Sequence, residues 1–215
     1  MIISPGRGYI FVHIPKTGGT ALSLALENRA MKDDILIGDT PKAVRRRGRL
    51  KDFASRGRLW KHSRLADIEG ILTPDEITGM FVFAIVRNPW DRMVSYYHWL
   101  KVQRFDHPAV ALAGQLDFRG FVAHPHTRDS MRGDAARTYV TLSDGREVDT
   151  LFLRLETLED DLAAVESRLD MRLGPITRAN ASERARDYRG YYDESTRDIV
   201  GEISAEDIQR FGYSF

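Results

Sequence analysis

The chain has 215 residues, 32 Lys/Arg against 31 Asp/Glu, a formal net charge of +1, 42% apolar and 29% charged residues. That length suits one domain with a full core, or a core plus a lid, and the ordinary soluble mix with no long apolar run excludes a membrane-spanning class. The absence of cysteine excludes disulfides, thiol catalysis and cysteine metal sites, and it fits a reducing, cytoplasmic setting. The opening MIISPGRGYIFVHIPK lacks a basic stretch followed by a long apolar one, so no signal peptide is expected. Charge is unevenly spread: ten Lys/Arg lie between Lys42 and Arg64, with Asp52 the only acidic residue among them. Such a run is either a solvated loop or a surface for an anionic ligand.

In chain order, Tyr9–Ile14 is predicted as a strand, followed by a helix starting near Thr20 with Leu22, Ala25 and Leu26 on one face. Residues 32–58 read as irregular and basic, and 64–72 as a short helix ended by Thr73-Pro74. The continuous apolar run MFVFAIV (80–86) has the pattern of a strand buried on both faces. Asn88 is placed to cap the next helix, with Pro89 at its first position and Trp90, Met93, Val94 and Tyr97 as its inner stripe. Residues 104–135 read as loop-rich, 147–156 as a strand, and 157–169 as an amphipathic helix with Leu158, Leu162, Val165 and Leu169 inward. Alternating strands and helices imply an α/β fold with a mainly parallel sheet flanked by helices. Ligands in such sheets sit beyond the C-terminal strand ends, where the Pro15–Thr20 and Arg87–Pro89 loops are expected as neighbours.

The first loop, PKTGGT, suits an oxyanion. Helix N-termini carry unpaired N–H groups and a positive dipole end. Gly18 and Gly19 allow close backbone approach, Lys16 adds a full charge, and Thr17 and Thr20 add hydroxyls. The other reading is a tight strand-to-helix turn with an exposed lysine. The order is not that of G-x-x-x-x-G-K-[ST], because the lysine precedes the glycines, which disfavours a magnesium-dependent nucleotide kinase. In the second loop Arg87 can grip a phosphate with its planar fork or pair with Asp91. Ser95 can donate a further bond or be a helix-surface serine, and Arg92 is expected to be a surface charge.

HIPKTGGTAL resembles the 5′-phosphosulfate loop of sulfotransferases that use 3′-phosphoadenosine 5′-phosphosulfate (PAPS), most closely the carbohydrate branch related to heparan sulfate 2-O-sulfotransferases and its compact bacterial relatives. FAIVRNPWDRMVSYYHW resembles that family's 3′-phosphate motif, and KHSRLADI, FLRLETLEDDL, NAS (180–182) and YYDES…DIQRFGYSF continue the likeness in order along nearly the whole chain. Ser204 departs from it, standing where relatives often place an aromatic residue, and is read as local packing. The resemblance implies a single P-loop-like three-layer domain with substrate-facing insertions at 31–65 and 104–140. It implies that Lys16, Thr17, Gly18, Gly19, Thr20, Arg87 and Ser95 bind PAPS or its product PAP, with Asn180 and Ser182 closing a loop over the nucleotide or serving ordinary turn chemistry. Arg154 either orients ligand or pairs with Glu156 or Asp160.

It further implies in-line sulfuryl transfer to a hydroxyl acceptor, expected to be a saccharide, with Lys16 meeting charge on the leaving oxygen and His62 as base. A carboxylate base, with Asp67 and Glu69 nearby in sequence, is the rival. His13 is expected in the core, His98 as a partly buried spacer, and His107, His124 and His126 in reach of substrate. No metal and no nucleic acid are expected. The alternatives are a nucleotide-dependent phosphotransferase and a non-catalytic polyanion binder using residues 42–64.

Overall fold

The computed structural model describes residues 1–176, 184–185 and 187–215. They form two compact units, Met1–Val86 with Ala136–Asn180, and Arg87–Ala135 with Ala181–Phe215.

The first unit holds the whole sheet: β1 (Ile2–Ser4), β2 (Tyr9–Val12), β3 (Ile35–Leu36), β4 (Phe81–Val86) and β5 (Thr150–Arg154), in the order β3-β1-β2-β4-β5. β1 runs antiparallel to β2 and β3, while β2 pairs parallel with β4 and β4 with β5. Four strands therefore run one way and only β1 opposes them. Val12 lies opposite Ala84, so β2 and β4 end at the same edge of the sheet. Tyr9, Phe11, Phe83, Ile85 and Leu153 share one core with Leu22 and Leu26 of helix Gly19–Asn28 and with Leu158, Leu162 and Val165 of helix Leu158–Leu169. The alternate side chains Ile10, Val12, Val82 and Ala84 are buried as well, as the unbroken apolar run of β4 requires.

Three readings of this unit change. Residues 32–58 contain β3, helix Pro41–Arg46 and a 3₁₀ helix, Arg47–Asp52. Between 64 and 72 only Leu65–Ile68 is helical, and it is 3₁₀. Thr73-Pro74 starts a helix rather than ending one: the Thr73 N–H donates to Glu76 Oε2 at 2.7 Å in a capping box, and Pro74 takes the first helical position.

In the second unit, helix Pro89–Lys101 packs Trp90, Met93, Val94 and Tyr97 against Ala109, Ala113, Phe118, Phe121, Val122, Val200 and Ile203. The stretch read as loop-rich is three helices, Pro108–Gln115, Phe118–Ala123 and Pro125–Arg132. His107, Asp117 and His124 cap them, and the proline after each histidine takes the first helical position. Among the described residues no helix is long and apolar enough to cross a membrane.

Candidate active site

In the first unit, β2 delivers the chain to the PKTGGT loop. Backbone φ is +63° at Lys16 and +83° at Gly18. A lysine in this region costs about 1–2 kcal/mol, and left-handed residues in such a turn curl successive N–H groups toward a common point, the geometry of an anion-binding nest. The helix that follows, Gly19–Asn28, has no side-chain cap, and the N–H of Ala21 donates to the Gly18 carbonyl at 3.2 Å. Thr17 is buried and its hydroxyl donates to the Ile14 carbonyl at 2.9 Å. It fixes the loop from behind, leaving its backbone N–H for an anion. A Cβ on Gly19 would fall 2.4 Å from His13 Cδ2. That imidazole cannot give way, because it is buried between Phe11 (6.0 Å) and His62 (4.8 Å). Gly19 is thus required by packing, and Gly18 by its backbone angle.

His62 reaches the same loop through His13. Its Nδ1 lies 2.7 Å from the His13 carbonyl oxygen. A carbonyl only accepts, so Nδ1 carries the hydrogen and Nε2 keeps the lone pair, the tautomer a general base needs. Burial, then the Lys61 charge, pull the His62 pKa down to about 4 against the opposing His13 bond. Burial likewise holds His13 well below the usual imidazole range. Wholly buried Ser63 fixes the turn carrying His62, its Oγ accepting from the Trp60 N–H at 2.9 Å and lying 3.0 Å from the Arg58 carbonyl.

The rival carboxylates are engaged elsewhere. Asp67 accepts from the Arg64 N–H at 2.7 Å, and Glu69 accepts from both N–H and Oγ of Ser143 at 2.7 and 2.5 Å. Arg154 is exposed, and its backbone N–H donates to Asp161 at 2.7 Å. Sequence reasoning missed Glu27. It is buried, accepts from Thr40 Oγ1 at 2.6 Å, has its carboxyl pKa pushed up by burial, and lines a small polar cavity with His13, Thr20, Ser23, Asp39 and Lys61. Its only sequence signal is its place one residue after Leu26 on a helix whose inner stripe had already been assigned.

In the second unit, Asn88 caps its helix by accepting from the Trp90 N–H at 3.1 Å and donates to the Ser214 carbonyl at 2.8 Å. Arg87 donates from Nε and Nη2 to Asp91 Oδ2 at 2.9 and 2.6 Å, so the ion pair open at the sequence level is present. Arg184 grips the other oxygen of Asp91 at 2.6 Å. Asp91 thus takes both guanidiniums, and Ser95 is buried on the same helix. Arg92 is not a surface charge: it is 7% exposed and paired with Asp134. His107 and His124 accept from the N–H groups of Ala109 and His126 through Nδ1, as caps. Asn180 and Ser182 lie outside the described residues.

The first unit thus joins Lys16–Thr20 to His62, while Arg87 and Ser95 stand in the second. The sequence profile of the sulfotransferase family matches residues 1–214, and the chain belongs to that family. It is an enzyme of the sulfuryl-transferring class. Its fold is similar to the crystal structure of mouse sulfotransferase SULT7A1 complexed with PAP, at 16% identity and a TM-score of 0.50, over 96% of this chain and 85% of that one. A search of curated protein sequences finds no match.

Proposed function

We propose that this sulfotransferase takes its sulfuryl group from PAPS and delivers it to a hydroxyl of a saccharide acceptor, with His62 as base, acting as a single domain in the cytoplasm. The observation that carries this reading is the His62 Nδ1 bond to the His13 carbonyl, 2.7 Å. It leaves the Nε2 lone pair on the unit that also holds the phosphate-type loop. Family membership and the PAP-bound structural neighbour support the choice of donor.

The loop fits a phosphosulfate in its chemistry: a lysine held in left-handed backbone, two glycines and an uncapped helix start. Arg87 and Ser95 are assigned to the 3′-phosphate, and Asn180 and Ser182 to a loop over the nucleotide. In the reaction the acceptor oxygen bonds to sulfur as the bond from sulfur to the phosphate oxygen breaks. His62 Nε2 takes the acceptor proton, and Lys16 meets the negative charge growing on the leaving oxygen. The products are a sulfate ester and PAP. No step in this scheme calls on a metal.

The donor assignment is tested by thermal unfolding with nucleotides. PAP at 100 times its dissociation constant is expected to stabilise by about 2.7 kcal/mol, with ATP, which lacks the 3′-phosphate, giving a much smaller rise in Tm at equal concentration. Equal shifts would contradict the role assigned to Arg87.

A further inference from the structure

The basic run between Lys42 and Arg64 is not one uniform surface. Lys61 pairs with Asp39 at 2.6 Å, and Arg46 and Arg49 donate to the carbonyls of Met31 and Lys32 at 2.8 and 2.6 Å. These cations hold the fold. Arg58 differs: it is exposed and has no carboxylate partner among the described residues, and its guanidinium lies over the Trp60 ring, 5.8 Å from the centroid. Trp60 is itself 44% exposed, which is uncommon for so large an apolar group, and its ring stands 5.0 Å from that of His62 at 87°. The buried Ser63 fixes the turn beneath all three. A guanidinium resting on an indole keeps its N–H edges for a planar anion, and it loses less freedom on binding one.

We propose that Arg58, braced on Trp60, reads a carboxylate or sulfate carried by the acceptor close to the hydroxyl that His62 deprotonates. The proposal rests on the sulfotransferase function proposed for this site and adds a specificity-determining residue to it. The row of cation, indole and imidazole places the anion on the reacting ring or the one beside it. Arg58 touches the acceptor and plays no part in holding the donor.

Calorimetric titration with a uronate-containing oligosaccharide and its carboxyl-reduced neutral twin tests this. Wild type is expected to bind the acidic sugar about 10–100-fold tighter, the worth of one charge-assisted hydrogen-bonded contact, and to lose the preference as salt rises. Arg58→Ala should abolish the preference, Arg58→Lys should restore it only in part, and Trp60→Ala should weaken it. PAP affinity, measured on the same samples, should be unchanged in all three. Equal binding of the twins by wild type, or a preference that survives Arg58→Ala, overturns the proposal. Failure of wild type to bind PAP would instead strike at the donor assignment beneath it.

Discussion

His62→Ala is expected to lower turnover by roughly 10²–10⁴-fold, the contribution of a positioned general base, while PAP affinity stays near that of wild type. The separation follows from the role proposed for it on the acceptor side: it is tied to the His13 carbonyl by Nδ1, so its loss would remove a proton acceptor and no group assigned to the donor. Asp67→Asn and Glu69→Gln should keep most activity, since both carboxylates are spent on backbone and hydroxyl donors. The pH dependence carries a sign. As the proposed base His62 would work as the neutral imidazole, and burial holds its pKa at about 4. On kcat/KM, which reports the free enzyme, activity should stay level from neutrality through pH 6.5 and fall only as pH approaches 4. On kcat the fall should come at higher pH, because an anionic donor bound beside the imidazole, as proposed, would favour its protonated form. A kcat/KM limb at 6.5 that persists in His62→Ala, or a dead Glu69→Gln beside an active His62→Ala, would assign the base elsewhere.

Lys16→Ala is expected to fail differently, with both PAP binding and turnover reduced. In the role proposed for it, the ammonium would meet the phosphosulfate in the ground state and help more as charge builds on the leaving oxygen. A donor at such a position is typically worth about 10²–10³-fold in rate. Alanine keeps a Cβ at the φ of +63°, so the left-handed strain is retained and the loss reports the charge. Lys16→Gly removes the same charge and relaxes the backbone. Its Tm should therefore exceed that of Lys16→Ala while its activity is equally low. Unaltered PAP affinity in both variants would separate Lys16 from the donor.

Much of the fold is legible in sequence because its signals are local. The unbroken apolar run of β4, the Asn88-Pro89 helix start and the stripe on Pro89–Lys101 all depend on neighbours within a few residues. So does the PKTGGT loop, whose curvature is carried by two of its own residues, Lys16 and Gly18. Ambiguity entered where one signal serves two structures. Thr73-Pro74 read as the end of a helix, and the stretch holding His107-Pro108 and His124-Pro125 as loop-rich, yet each cap-and-proline pair opens a helix. Strand β3 has only two residues, Ile35–Leu36, too few to show alternation. The site's finer features were out of reach because they join distant residues. The His62–His13 bond spans 49 positions and the Arg184–Asp91 pair 93. Burial of Arg92 likewise depends on Asp134, which no spacing rule connects to it. Trp60 and Arg58 carry no motif at all; their importance comes from standing beside His62 once the chain has turned.

The most direct measurement is transfer of labelled sulfate from PAPS to a panel of glycans and small alcohols, run in excess EDTA with PAP release followed in parallel. The roles assigned to Lys16, Arg87 and His62 predict label in a hydroxyl-bearing saccharide, one PAP released per sulfate transferred, and a rate unaffected by the chelator. Phosphate transfer from ATP restored only by magnesium, with no sulfate transferred to any acceptor, would contradict them.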